Sequence, residues 1–173
     1  LCSNGTRPQA DTEEFKKAQE EISKVQLEMF CAKCSANLEK YILPVKSVGV
    51  QGDFRTYRFP SVISFAKMEN GFYHLPKKWE KLEAASSQIT NSASFINRTI
   101  IRLWQNPSVK DEDLKLQEGY CTKERLDQTR DADDIVLTAL HKSGWYNKIF
   151  QHLTINLPYA SSKKRCSFVL RPL

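Results

Sequence analysis

Residues 43–65 constrain the fold of this chain more than any other stretch. Their pattern predicts two β-strands joined by a tight turn, because β-branched and aromatic residues fill both arms. These residues are Val45, Val48 and Val50 on the first arm and Tyr57, Phe59, Val62, Ile63 and Phe65 on the second. Gly49, Gly52 and Asp53 provide the turn signal. Pro60 cannot donate to a ladder, which predicts an edge position or a bulge in the second arm.

Four charged residues surround the predicted turn, namely Asp53, Arg55, Lys46 and Arg58. A carboxylate beside three cations can accept hydrogen bonds from ribose or base donors, while the cations attract phosphate. A solvated hairpin tip also commonly carries charged residues. The residues alone therefore leave two interpretations open, a nucleotide site and an ordinary charged turn.

Hydrophobic periodicity predicts three helices in the rest of the chain. The first spans about residues 13–40, with an apolar stripe at Phe15, Ala18, Ile22, Val25, Met29, Ala32 and Ala36. The second begins after Pro76, and the third runs from Thr122 to Ser143 and ends at Gly144. We expect the inward face of the third helix to carry Ile135, Val136, Ala139 and Leu140.

Strand-like runs between these helices complete the pattern at residues 98–104, 148–157 and 165–170. This order predicts an α+β fold in which helices pack on a small antiparallel or mixed sheet. Leu43-Pro44 and Leu157-Pro158 each follow a helix, which indicates a tandem repeat whose second copy is truncated. The predicted parts are a linker remnant at 1–14, a first unit at 15–106, a linker at 107–121 and an incomplete second unit at 122–173.

Composition narrows the classes of partner. The net charge of +6 favours an anionic partner such as a nucleotide, and no apolar run is long enough to span a bilayer. The five cysteines are odd in number and irregularly spaced, which suits a reducing cytosol. Cys31-x-x-Cys34 lacks a second pair of ligands, so we expect no metal site there. Because the chain begins with Leu1 rather than Met, we expect it to be a piece of a longer protein.

The string ILPVKSVGVQGDFRTY at residues 42–57 closely resembles the start of the C-terminal dimerisation domain of GMP synthase, the glutamine-hydrolysing ligase of purine synthesis. The similarity covers the chain from about Ser23 onward and is looser at residues 132–170. Two such subdomains in tandem resemble the larger, eukaryotic arrangement. The resemblance implies a dimerisation and substrate-binding part of an enzyme that makes GMP from xanthosine monophosphate (XMP), ATP and ammonia derived from glutamine.

The resemblance also implies three site residues. Asp53 in the Gln-Gly-Asp turn and Gln151 in the Lys-Ile-x-Gln strand start match family residues that hold XMP. Arg55 is implied as a phosphate or dimer contact. The implied partners are a second copy of the chain, XMP and the remaining GMP synthase domains, all in the cytosol. ATP and Mg²⁺ are implied for the parent enzyme, and no cofactor for this chain itself.

The sequence departs from the family at its catalytic motifs. It contains neither the adenylating loop Ser-Gly-Gly-x-Asp-Ser, nor the terminal Lys-Pro-Pro segment, nor a Cys-His-Glu glutaminase set. In the second copy, Ser-Ser-Lys-Lys at residues 161–164 replaces the Gly-Asp-x-Arg turn. We therefore expect this chain alone to be inactive. The alternative is a stand-alone, non-catalytic module derived from the family; we expect no nucleic-acid partner, because no such motif accompanies the basic residues.

Overall fold

A computed structural model of the chain describes residues 12–27, 30, 38–51 and 54–173. The chain divides into two compact units, whose described parts end at Lys110 and begin at Asp111. No helix in these described ranges is long and apolar enough to cross a bilayer.

The described part of the first unit contains two helices and four strands. In chain order they are α1 Glu13–Lys24, β1 Glu39–Ile42, β2 Ser47–Gln51, β3 Phe54–Ser64, α2 Trp79–Ser92 and β4 Ile96–Ile101. A short 3-10 turn at Glu69–Gly71 lies between β3 and α2. The predicted second helix and the strand after it are thus confirmed, with the strand shifted toward its N-terminal end.

Strand β3 is the centre of the first sheet. Its first half pairs antiparallel with β2, from Ser47 opposite Arg58 to Gln51 opposite Phe54, which confirms the predicted hairpin. Its second half pairs antiparallel with β1 and parallel with β4. The β3–β4 register shifts between Phe59 and Pro60, so the predicted bulge is confirmed. The edge position is wrong, because the half of β3 that contains Pro60 has a strand on each side.

One hydrophobic core joins both helices to the sheet. Its most buried members include Ala18 and Ile22 of α1, Phe59 and Ile63 of β3, Leu82, Ala85 and Ile89 of α2, and Ile96 of β4. Rings from α1 and β3 meet edge to face, with 5.4 Å between the centroids of Phe15 and Phe59. The predicted stripe on α1 is therefore confirmed for its first four members. Met29, Ala32 and Ala36 lie outside the described residues.

Helix α1 ends before the predicted boundary at residue 40, and residues 28, 29 and 31–37 of the predicted helix lie outside the described residues. Its start has the predicted form, because the hydroxyl of Thr12 accepts a hydrogen bond from the Phe15 amide at 3.2 Å. Its end lies at Lys24, and Val25 already has an extended backbone. The ammonium of Lys40, on β1, donates to the carbonyls of Ile22 and Val25 and satisfies the helix end. Burial lowers the pKa of Lys40 from its ordinary value.

The second unit contains one long helix and two small sheets. The elements are β5 Lys115–Leu116, α3 Lys123–Ser143, β6 His152–Leu157, β7 Tyr159–Ala160 and β8 Ser167–Pro172, with 3-10 turns at Asp111–Asp113 and Tyr146–Lys148. Strand β6 pairs antiparallel with β8, and β5 pairs antiparallel with β7. Residues 107–121, predicted as a linker, thus include one short strand. The three helices on small sheets confirm the α+β class, while the tandem repeat stays a prediction.

The ends of α3 were predicted correctly, whereas its predicted inward face is at most half-buried, as at Val136 and Leu140. Thr122 caps the start, and Gly144 closes the end in the left-handed conformation with φ 72°. None of the 21 residues of α3 is buried. Ile135, expected inside, is 70% exposed, and Ala139 is exposed as well. The side of α3 that meets β6 is polar, and this polar contact displaces the apolar stripe from the interface.

Candidate functional site

The β2–β3 hairpin carries the charged residues that the sequence singled out. Arg55 lies near the start of β3 opposite Val50, and its side chain is exposed. Among the described residues, no hydrogen bond or ion pair holds the Arg55 guanidinium. Lys46 differs, because its ammonium pairs with the carboxylate of Glu14 on α1. Asp53 lies outside the described residues, so the predicted carboxylate beside Arg55 has no structural description.

A polar network fastens this hairpin to β4. The hydroxyl of Ser47 donates to Asn97 Oδ1 at 2.6 Å, and Asn97 Nδ2 donates to the carbonyls of Ser47 at 2.9 Å and Thr56 at 3.3 Å. The guanidinium of Arg98 donates through Nε to the carbonyl of Val48 at 2.9 Å. These bonds join both strands of the hairpin to β4, so the position of Arg55 depends on β4.

Gly49 belongs to this network rather than to the turn. It lies in the middle of β2, opposite Thr56, which corrects its assignment as a turn signal. A Cβ atom at Gly49 would lie 2.8 Å from Asn97 Nδ2 and 3.0 Å from Thr56 Oγ1. Real side-chain contacts are not that short. A glycine is therefore required here so that the amide of Asn97 can reach the backbone of β2.

Gln151 lies in the second unit, directly before β6. Its carbonyl accepts a hydrogen bond from the amide of Leu173 at 2.7 Å, and the amide of Phe150 donates to the carbonyl of Leu173 at 2.7 Å. These bonds continue the β6–β8 ladder past its last regular pair. The side chain of Gln151 is exposed. Its amide can thus both donate to and accept from a ligand.

Next to Gln151, three polar side chains meet between α3 and β6. Asp133 Oδ1 lies 2.9 Å from His152 Nε2 and accepts a hydrogen bond from the hydroxyl of Thr154 at 2.7 Å. The Thr154 hydroxyl, with a smaller contribution from His152, lowers the pKa of the Asp133 carboxyl from its ordinary value. The ring of His152 is mostly buried, with its side chain 16% exposed.

A second polar group continues the same interface toward the start of α3. Arg125 donates to Asn156 Oδ1 at 2.6 Å, and Asn156 Nδ2 donates to Thr129 Oγ1 at 3.2 Å. The thiol of Cys166 donates to Gln128 Oε1 at 3.5 Å. Burial raises the pKa of the Cys166 thiol, and the guanidinium of Arg125 opposes that effect.

Sequence reasoning missed this interface although the signal was present. Polar residues recur every second position on β6, at His152, Thr154 and Asn156, and therefore share one face of the strand. Polar residues recur every fourth position on α3, at Arg125, Thr129 and Asp133, and share one face of the helix. Two matching polar stripes on consecutive elements predict that those elements meet through hydrogen bonds.

Arg55 and Gln151, the predicted site residues that the structure describes, offer groups suited to binding a ligand. The predicted site residues fall in both units, Arg55 in the first and Gln151 in the second. No three His, Cys, Asp or Glu residues in the described ranges are grouped so that they could hold a metal ion. The exposed groups comprise a guanidinium, which suits a phosphate, and a primary amide, which suits the edge of a base.

Comparison with known proteins finds GMP synthases among the sequence relatives of this chain. No family model matches the chain. A probable glutamine-hydrolysing GMP synthase of Leptospira interrogans is 31% identical over 132 residues, which are 76% of this chain and 20% of that protein. GMP synthases of Symbiobacterium thermophilum and of a Synechococcus strain are 39% and 38% identical over 71 residues, and these matches cover 38% of this chain and 14% and 13% of those proteins.

These matches confirm the predicted relationship to GMP synthases. The chain spans about a fifth of the length of the first of these relatives, and a smaller share of the other two. Assignment to the dimerisation domain and to the eukaryotic type both stay predictions.

Proposed function

We propose that this chain is the part of a glutamine-hydrolysing GMP synthase that binds XMP and brings two copies together. The parent enzyme would be a cytosolic ligase that makes GMP from XMP, ATP and glutamine-derived ammonia. In this proposal Asp53 and Gln151 hold the nucleoside part of XMP, and Arg55 binds its phosphate or a second copy. The chain itself would lack catalytic activity.

The length of the Leptospira match is the observation that carries this proposal. A continuous match of 132 residues within a chain of 173 has to include residues 42–132, wherever it begins. It therefore contains the whole β2–β3 hairpin, with Asp53 and Arg55, and it extends into the second unit. The relationship thus covers the hairpin to which the proposal assigns the substrate.

The side-chain chemistry of Arg55 and Gln151 agrees with a nucleoside monophosphate as ligand. The exposed guanidinium of Arg55 presents paired N–H donors that fit phosphate oxygens. Gln151 presents an exposed primary amide, which can donate and accept at once along a purine edge. In this proposal ATP and Mg²⁺ would be held by other parts of the parent enzyme.

Exposed apolar side chains in the second unit offer surface that self-association could bury. Phe150 is 93% exposed and Ile135 is 70% exposed, and Trp145 is also more than half exposed. Apolar side chains of this kind lose contact with water when an interface covers them. The concentration dependence of the mass, measured by sedimentation equilibrium on this chain, tests the point. A monomer at every concentration would remove self-association from the proposal.

Steady-state kinetics of the full reading frame that contains this chain test the enzymatic part. We expect conversion of XMP to GMP that requires ATP and glutamine. Asp53→Ala and Gln151→Ala should each raise the KM for XMP by about tenfold, the effect of about 1.4 kcal/mol of lost binding. The KM for ATP should not change. Gln19→Ala, at an exposed position on α1, provides the matched control.

Two results would contradict the proposal. A reading frame that produces no ATP-dependent conversion would favour the stand-alone module over the enzyme. An unchanged KM for XMP in both variants would remove Asp53 and Gln151 from the substrate site while leaving the sequence relationship intact.

A further inference from the structure

We propose that Asp133, His152 and Thr154 form a positioning clamp that orients Gln151 toward its ligand. The inference rests on the proposed function, because it takes Gln151 as a substrate-binding residue. It adds three residues that would not touch the substrate. Each of them would act through the backbone of β6.

The first argument is that a single carboxylate oxygen holds two positions of the strand. Asp133 Oδ1, on α3, lies 2.9 Å from His152 Nε2 and 2.7 Å from Thr154 Oγ1. His152 and Thr154 are two residues apart, so both point to the face of β6 that meets α3. The clamp therefore fixes the register of β6 against α3 and determines which face of β6 contacts the helix.

The second argument is that the orientation of β6 against α3 determines the direction of the Gln151 side chain. Side chains alternate along an extended strand, so Gln151 points away from α3 when His152 points toward it. A register slip of one residue would turn Gln151 toward α3 and His152 away from it, since the side-chain period of a strand is two. The backbone of Gln151 is also held on its other side by Leu173, through the 2.7 Å bond to the Gln151 carbonyl.

The third argument excludes a direct chemical role for the histidine. The ring of His152 is mostly buried, and its Nε2 is already held by Asp133. It points to the opposite face of the strand from Gln151. A ligand bound by Gln151 would therefore not meet this imidazole. The pKa of the Asp133 carboxyl is lowered from a value already below neutral pH, so at neutral pH the carboxylate accepts both bonds.

The test uses the full reading frame and a graded set of variants. Thr154→Val removes one bond with little change in shape, and His152→Leu removes the other. His152→Gln retains an N–H donor at the same reach and serves as the conservative rescue. We expect His152→Leu and Asp133→Ala to raise the KM for XMP by about tenfold, with kcat unchanged, and Thr154→Val to raise it less. His152→Gln should stay near the wild-type value.

A double variant separates positioning from general stability. If the clamp acts only through Gln151, Gln151→Ala combined with Asp133→Ala should be no worse than Gln151→Ala alone. A merely structural effect would add to the Gln151 effect and would also lower kcat. Additive effects, or an unchanged KM in the clamp variants while Gln151→Ala is impaired, would overturn the inference.

Amide exchange distinguishes failure of the clamp from failure of the proposed function. We expect Asp133→Ala to accelerate exchange at Phe150 and Leu173, while the exposed neighbour variant Asp134→Ala leaves it unchanged. If Gln151→Ala binds XMP normally, the proposed role of Gln151 fails, and the clamp loses its function even where exchange responds. If exchange at Phe150 and Leu173 does not respond, the clamp itself is refuted, whatever the kinetics of Gln151.

Discussion

Gly49→Ala is the change that most directly tests the anchoring of the hairpin. The new methyl group would lie 2.8 Å from Asn97 Nδ2, so the amide would have to move. That movement breaks the donations from Asn97 to the carbonyls of Ser47 and Thr56. It also displaces the acceptor of the Ser47 hydroxyl. A single methyl group therefore acts on three hydrogen bonds.

The size of the effect follows from two opposing contributions. Overpacking a fitted contact costs about 1–3 kcal/mol. Replacing glycine with alanine within a strand returns about 0.5–1 kcal/mol, because the unfolded chain loses freedom. We therefore expect Gly49→Ala to lower the free energy of unfolding by about 1–2 kcal/mol. Asn97→Ala, which removes the partly buried hydrogen bonds of this side chain to Ser47 and Thr56, should lower it by about 2–3 kcal/mol.

The double variant provides the decisive comparison. Once Asn97 is alanine, the methyl group at position 49 has no amide to displace, although its contact with Thr56 remains. The combined effect should be smaller than the sum of the single effects by about 1 kcal/mol. Val48→Ala, in the same strand and 42% exposed, is the matched control and should change the stability by less than about 0.5 kcal/mol.

Urea unfolding followed by tryptophan fluorescence measures these values. The chain has three tryptophans, of which Trp79 and Trp104 belong to the first unit and Trp145 to the second. In a Trp145→Phe background the signal reports the first unit alone. Two outcomes would refute the reasoning: an unchanged midpoint in Gly49→Ala, or a double variant whose loss equals the sum of the single losses.

Three further predictions concern the second unit. The Thr154 hydroxyl chiefly lowers the pKa of Asp133, so the ionised carboxylate stabilises the fold above about pH 4, and this stabilisation is lost as the pH falls through the lower, folded-state pKa. Asp133→Asn should therefore flatten the acid end of the curve of stability against pH, followed by circular dichroism, and an unchanged slope would contradict this. Cys121 is exposed and Cys166 half-buried with a raised pKa, so peptide mass spectrometry at pH 8 should find Cys166 alkylated more slowly, and equal rates would count against the burial of Cys166. Amides of α3 should exchange faster than those of β3, because no residue of α3 is buried; the reverse order would show that another surface covers the helix.

The hairpin and the ends of α3 could be predicted because their signals are local. Alternating β-branched residues define a strand without reference to the rest of the chain. Thr122 and Gly144 mark a helix by capping groups within three or four residues of its ends. The end of α1 is different. Its orphan carbonyls receive the ammonium of Lys40, whose position depends on how β1 packs, and the apolar period continues past the real boundary.

The central place of β3 could not be read from the sequence for a related reason. Pro60 is rare inside a sheet, which favours an edge strand from composition alone. The structure instead places Pro60 at the register shift between β3 and β4. The hydrogen-bond ladder is already irregular there, so the missing N–H of the proline interrupts no regular pair. The role of Gly49 likewise depends on Asn97, which is 48 positions away in the sequence. Both features follow from pairing partners rather than from neighbours along the chain.

The apolar stripe of α3 shows that hydrophobic periodicity can predict a helix without predicting which side of it contacts the sheet. It correctly marked a helix, yet Ile135 faces solvent while the polar stripe at Arg125, Thr129 and Asp133 faces β6. Hydrogen bonds fix register better than apolar contacts do, because each bond requires its partner at one position. They bury little apolar surface, however, and a two-stranded sheet by itself is only marginally stable. The apolar side of α3 is then left for a covering surface, which is what the proposed self-association would supply.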